Sequence, residues 1–367
     1  MNIASATLLA YSLPLHGDWP GASMHVAVRD GWLLRVETSD GRCGFGECAP
    51  LPSHGSEPAA AAGDALRRWS EALRGRTLDD AGELLAAAAT FATPAARAAV
   101  DSALLDLAAQ QAGLPLWRHL APPAAAGDGG VAVNALTGDV MSVSSGQLAA
   151  TLTAGFSTIK LKLGVAAADG ELAALLRLAP MLPPGARLRL DANRAWDADT
   201  AARFCAALAG LPVESLEEPL AEPTPDALRA LQRELPFALA VDESWLEFDR
   251  EAFFAAPPVR RLVLKPAVHG GLRPALETAR RAQAAGVDCV VTTGVDSACG
   301  TFAAAHLAAA VDQLQRHRLA HGLATSSWLA ADTGEPPAIV GGRIALPATP
   351  GLGFVPRPIR AGCVPSR

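Results

Sequence analysis

The chain has 367 residues, half of them apolar and 19% charged, enough for a sizeable core in one large domain or a large domain with a small one. A net charge of −6, with the arginines spread along the chain, argues against nucleic acid, whose phosphates need a basic face. The six cysteines form no CxxC pair, Met1–Leu15 shows no basic region followed by an apolar one, and charge interrupts the Ala-rich stretches. A cytoplasmic protein with reduced thiols, no secretory signal and no membrane span is therefore expected.

In chain order, the first elements are short β segments at Ser5–Leu13, His25–Arg29, Leu33–Thr38 and Gly44–Glu47, with turns expected at Asp30-Gly31 and Asp40-Gly41. Helices follow near Pro58–Leu73, Leu78–Ala89 and Pro94–Ala112, the last with Thr93 as N-cap and Gly113 near its end. These elements make a small α+β domain over residues 1–121. Pro122–Gly130 reads as a linker.

From Val131 the texture changes, and apolar runs alternate with helical stretches. The runs are Val131–Leu136, Thr158–Leu163, Arg187–Asp191, Val213–Glu217, Ala238–Asp242, Arg261–Lys265, Cys289–Thr293 and Arg318–Leu323. Their ends recur at intervals of roughly 23–30 residues, the length of a βα unit. This predicts a (β/α)7β TIM-like barrel over 131–325, with the 326–367 tail packing back on the capping domain. An open doubly wound sheet is the alternative, weakened because no GxGxxG follows the first strand.

The polar residues fall at the C-terminal ends of these runs, where barrel sites lie. Asn134, Lys160 with Lys162, Asp191 with Asn193, Glu217 with Glu218, Asp242 with Glu243, Lys265 and Thr293 end successive strands. Lys160 and Lys162 share one strand face, as do Arg189, Asp191 and Asn193. Lys160, Lys162 and Lys265 are the chain's only lysines among 31 basic residues. Unlike arginine, a buried lysine shifts its pKa and serves as a base. Asp191, Glu217 and Asp242 would repel one another unless a cation lay between them, and an all-oxygen set suits a hard divalent ion such as Mg²⁺. Such an ion, bound to a substrate carboxylate, eases removal of the adjacent proton by a tuned lysine. Schiff-base chemistry at a lysine would leave the carboxylates unexplained.

Lys160-Leu161-Lys162, Asp191-Ala192-Asn193, Glu217-Glu218-Pro219, Asp242-Glu243-Ser244 and Lys265-Pro266 follow one another in the order and spacing of a known family. With them the chain resembles the enolase superfamily, in its muconate-lactonizing-enzyme-like branch. Arg189 through Trp196 and the Glu217-Glu218-Pro219 run are most similar to the o-succinylbenzoate synthases. The resemblance implies Mg²⁺, with Mn²⁺ able to stand in, held by Asp191, Glu217 and Asp242. It implies Lys162 as general base and then acid, Lys265 as the opposing group that stabilises an enediolate, and Lys160 as the residue that tunes Lys162. The Gly294–Gly300 stretch would help bind the substrate. Asn134, Arg189, Asn193, Gly294 and Ser297 are the expected substrate contacts. The implied substrate is a small carboxylate, 2-succinyl-6-hydroxy-2,4-cyclohexadiene-1-carboxylate. It would be dehydrated to o-succinylbenzoate on the route to menaquinone or phylloquinone.

The Gly46-Glu47-Cys48-Ala49-Pro50 segment looks like the loop that closes over the substrate. Glu47 could touch the site or bond within the capping domain, and His269 is expected at a loop or helix start. N-succinylamino acid racemisation and dipeptide epimerisation are the alternatives. The second is disfavoured because His321-Gly322-Leu323-Ala324-Thr325-Ser326 has no Asp-x-Asp to hold a free amine. Muconate lactonisation and a non-catalytic barrel are further alternatives. Oligomeric state is left open.

Overall fold

The computed structural model describes residues 2–20, 25–89, 92–121, 127 and 129–358. Most of the expected linker, and Cys363, lie outside them.

Three antiparallel strands open the chain: β1 (Ile3–Pro20), β2 (His25–Thr38) and β3 (Cys43–Cys48). The turn expected at Asp30-Gly31 does not form. β2 runs through it, and Gly31 pairs with Tyr11 of β1. A Cβ at Gly31 would overlap the Tyr11 ring and hydroxyl, so this glycine serves close packing rather than a turn. The turn at Asp40-Gly41 does form, with Gly41 at φ 85°.

Helices α1 (Ala59–Leu73), α2 (Leu78–Ala87), α3 (Pro94–Ala112) and α4 (Leu116–Leu120) follow; α1 and α3 pack on the sheet, and α1 and α2 pack on α3. Thr93 makes no side-chain cap on α3. The Glu57 carboxylate takes that role, accepting from the backbone N–H groups of Ala95 at 2.9 Å and Ala96 at 2.8 Å. Gly113 ends the helix in the left-handed conformation, as expected.

After β4 (Gly130–Ala132) comes a parallel sheet whose strand order follows the chain: β5 (Ala135–Asp139), β6 (Thr158–Lys162), β7 (Arg187–Asp191), β8 (Val213–Glu217), β9 (Ala238–Val241), β10 (Arg261–Leu264) and β11 (Asp288–Val291). The intervening helices are α5 (Ser145–Thr153), α6 (Ala168–Leu178), α7 (Ala198–Leu208), α8 (Pro225–Arg233), α9 (Arg250–Ala255), α10 (Pro266–His269), α11 (Leu272–Ala284) and, beyond β11, α12 (Ala298–Asp312). This is a capping domain beside a curled parallel barrel, as the sequence predicts.

Two details differ. The first expected run is split, and β4 pairs with the tail strand β13 (Arg343–Ala345), itself paired with β12 (Ile339–Val340). The eighth expected strand is reduced to bridges: His321 pairs with Val133 and Gly322 with Thr292, which links β11 back to the start of the barrel. The last part of the tail returns to the capping domain. Leu352 N–H donates to Asp106 at 2.8 Å, and the Phe354 ring meets Phe45 edge-on. One continuous apolar core joins cap, barrel and tail, from Leu33 and Phe45 through the Leu-rich inner strands to Phe354.

Candidate active site

At the C-terminal ends of the strands lies a pocket with about 600 Å³ of empty space, counting its open mouth. One side is charged, with Lys160, Lys162, Asp191, Asn193, Glu217, Asp242, Glu243 and Lys265 in its wall. The other is made by Thr292, Thr293, Gly294, Gly322, Ala324 and Thr325. His54 reaches in from the cap.

The charged side follows from register. Lys162, Asp191 and Glu217 are lateral neighbours on parallel strands, so period-two alternation turns them together toward the mouth. The chain beyond β7, β8 and β11 bends sharply: Asn193 (φ 46°), Arg194 (φ 63°), Glu218 (φ 45°) and Val295 (φ 59°) all adopt positive φ. Such backbone is costly for side chains other than glycine, most of all a β-branched one, and survives where the surroundings enforce it. Glu218 is held by the N–H of Asp242 at 2.7 Å and by both the N–H and hydroxyl of Ser244. Val295 is held through its N–H by the Thr325 hydroxyl and through its carbonyl by Arg29.

Lys160 Nζ lies 2.8 Å from Asp191 and 2.9 Å from Glu217. Burial opposes its charge, but these two carboxylates outweigh burial and hold it protonated. Lys162 is shifted the other way: burial lowers its pKa, and the Lys160 cation adds to the lowering against the pull of Asp191. Lys265 Nζ bridges Asp242 at 2.5 Å and Glu243 at 3.0 Å, which raise its pKa despite burial. The two lysines that face the mouth are therefore unlike. Burial and the neighbouring Glu243 raise Asp242 well above the carboxylate range; burial and Asp191 raise Glu217. Glu243 falls to about 2, because Lys265 and His54 overcome its burial.

Among the described residues, no three His, Cys, Asp or Glu side chains are already gathered into a metal-holding group. The expected ligands Asp191 and Glu217 turn toward Lys160, and Asp242 turns toward Lys265. Their chemistry nonetheless fits a hard divalent cation: three buried carboxylates, all oxygen donors, end adjacent strands, and their charges disfavour one another. The lysine ammoniums supply the countercharge in this arrangement.

Of the expected substrate contacts, Asn134, Asn193 and Gly294 line the pocket. Arg189 does not. It is buried beneath, bonded to Glu214 at 2.9 Å and to the Asn134 side-chain oxygen at 2.9 Å. Its long side chain reaches the Glu214 carboxylate, which Arg261 shares from β10. Ser297 also lies outside the wall, its hydroxyl paired with Thr333 and its N–H donated to Glu47. Glu47 belongs to the joint between cap and barrel: its carboxylate accepts from Ser297 N–H at 3.0 Å, from Gly300 N–H at 2.7 Å and from the Tyr11 hydroxyl. His269 ends α10, bonded back to the Lys265 backbone and stacked on Trp245. His54 belongs to no motif in the sequence, and Gly322 and Thr325 stand in the His321–Ser326 stretch, which the sequence marks only by its missing Asp-x-Asp. His54 sits in an unremarkable Pro52-Ser53-His54-Gly55 turn.

Residues 22–120 match the mandelate racemase / muconate lactonizing enzyme N-terminal domain, and residues 144–359 match the enolase C-terminal domain-like family. The chain is 30% identical to the L-Lys-D/L-Arg epimerase of Methylococcus capsulatus, over 97% of this chain and 99% of that protein. It is 31% identical to the o-succinylbenzoate synthase of Klebsiella pneumoniae, over 82% of this chain and 85% of that protein. Among solved structures it is similar to the dipeptide epimerase from Methylococcus capsulatus complexed with Mg and dipeptide L-Arg-D-Lys. That likeness has a TM-score of 0.86 at 31% identity, covering 97% of this chain and 100% of the other.

Proposed function

The chain belongs to the enolase superfamily, with the N- and C-terminal domains of its mandelate racemase and muconate lactonizing enzyme group, and from that premise we propose that it is an o-succinylbenzoate synthase. The substrate is 2-succinyl-6-hydroxy-2,4-cyclohexadiene-1-carboxylate, dehydrated in menaquinone or phylloquinone biosynthesis. The observation that carries this choice is the uncharged wall of Thr292, Thr293, Gly294, Gly322, Ala324 and Thr325. None of these wall residues is a carboxylate that could pair with a free ammonium, whose burial there would be costly; the nearby Asp296 carboxylate takes the Gly294 N–H instead. Hydroxyls and bare backbone suit a neutral or carboxylate-bearing chain such as the succinyl group.

Asp191, Glu217 and Asp242 would hold Mg²⁺, whose Lewis acidity stabilises the negative charge that develops on the substrate carboxylate. Lys162, lowered in pKa by burial, takes the α-proton and returns it to the departing hydroxyl on the same face. Lys160 stays charged, fixes Asp191 and Glu217, and depresses Lys162. Lys265, the residue that the resemblance sets opposite Lys162, would act as a cation that balances developing charge. Asn134, its oxygen committed to Arg189, donates its amide N–H to Ala135 and stiffens the pocket floor.

A second reading is epimerisation or racemisation of a dipeptide or N-succinylamino acid. It is favoured by the epimerases among the relatives and by a second lysine, Lys265, in the pocket wall besides Lys162. Both readings share the first proton abstraction. The test is a UV assay of the dehydration with Mg²⁺ and with EDTA, run beside racemisation of N-succinylamino acids and epimerisation of dipeptides. EDTA-sensitive dehydration is expected. Turnover of an amino-acid substrate alone would overturn the choice in favour of the second reading.

A further inference from the structure

Among the described residues that line the pocket, His54 is the one supplied by the capping domain. Its backbone is fastened on both sides. Glu47 is seated on the N–H groups of Ser297 and Gly300 at the start of α12, and Glu57 on those of Ala95 and Ala96 at the start of α3. Between them, Arg29 ties the carbonyls of Ala49 and Pro50 to that of Val295 in the barrel. Gly55 closes the turn after His54 at φ 95°, against Leu246.

The imidazole thus has little freedom. Its Nδ1 lies 3.0 Å from the Ser53 hydroxyl, and its Nε2 lies 4.0 Å from Glu243 Oε1. The second distance is a contact of dipole and charge rather than a hydrogen bond. Burial and the Lys265 cation press the ring pKa down to about 3, so it is neutral at physiological pH. A neutral ring beside an acceptor-only carboxylate carries its proton on the nitrogen that faces it. The same Oε1 of Glu243 receives Lys265 Nζ at 3.0 Å, while Asp242 Oδ2 competes for that ammonium at 2.5 Å. Lys265 therefore lies between Asp242, an expected metal ligand, and Glu243, which His54 faces from the cap.

We propose that His54 is a positioning residue, which steadies Glu243 so that Glu243 rather than Asp242 holds Lys265 when the site is at work. The seating of the cap is thereby coupled to the posture of the second lysine. The assignment rests on the reading of Lys265 as the group opposite Lys162, but not on which substrate is turned over.

The chain's three lysines make this directly readable, because a protein labelled with ¹³C-ε lysine gives three side-chain signals, all from the site. Single Lys→Arg variants assign them. In His54→Ala the Lys265 signal should move at fixed pH, with and without Mg²⁺, while the Lys160 signal stays. In the dehydration assay kcat should fall about tenfold with KM within about twofold, and His54→Gln, which keeps an N–H, should recover most of kcat. An unmoved Lys265 signal, or a loss confined to KM, would overturn the proposal. If His54→Ala does not fold, the signals and kinetics of His54→Gln decide, since an intermediate shift of Lys265 is then expected. Wild-type enzyme that dehydrates nothing would sink the proposed substrate, and the Lys265 signal would still decide the role of His54.

Discussion

On one side of the pocket three lysines and four carboxylates crowd together over sharply bent backbone; on the other, Thr292, Thr293, Thr325 and two glycines offer hydroxyls and bare main chain. The charged side holds the means of moving a proton next to a carboxylate, which the whole superfamily needs. Under the proposed dehydration, the uncharged side would face the rest of the substrate and would be the part that separates dehydration from epimerisation. On that proposal, chemistry and specificity would be built on different strands of one barrel.

The largest effect should come from the charged side. Lys162→Arg keeps a cation but loses the base, so turnover should fall about a thousandfold or more, with the circular dichroism spectrum and melting temperature unchanged. Near-normal activity would move the base elsewhere. Asp242→Asn should weaken Mg²⁺ binding at least about tenfold by titration calorimetry, because a neutral amide replaces an anionic donor. Unchanged affinity would remove Asp242 from the ligand set.

The uncharged side should respond in stability and KM first. A Cβ at Gly322 would overlap the Thr292 hydroxyl. Gly322→Ala should therefore cost about 1–3 kcal/mol in denaturant unfolding and raise KM. Adding Thr292→Ala should return part of the stability; a double variant no better than the single one would place the strain elsewhere.

The smallest effect concerns the joint that seats this wall under the cap. Burial, together with the Asp296 charge, lifts Glu47 to about 7. A carboxyl raised above its unfolded value of about 4.3 contributes stability that is full below that value and lost as pH rises to about 7. Glu47→Gln removes this titration and places an amide N–H against the Gly300 N–H. The variant should be less stable than wild type, by about 1 kcal/mol at pH 5 and by less at pH 8. A gap that widens with pH would mean that Glu47 is not raised.

The same two sides differ in how much of them could be read from the chain. Lys162, Asp191, Glu217 and Asp242 were legible because strand periodicity and the βα repeat bring consecutive strand ends together wherever such a barrel forms. Arg189 shared that periodicity and still missed the pocket. It lies one layer below Asp191, where Glu214 and Arg261 could reach it, and strand alternation does not reveal depth. The eighth strand was overestimated for a related reason: an apolar run cannot show that its pairing stops after His321 and Gly322.

By itself, then, the sequence determined the repeating barrel, its capping domain and the charged rim, because those depend on patterns within a few tens of residues. Tertiary structure alone decided the partners of Glu47, 250 residues away at Ser297, the packing of Gly31 on Tyr11, and the entry of His54 over Glu243 and Lys265. Such contacts join segments whose local sequences carry no period or motif in common. They exist only once folding has brought those distant segments together.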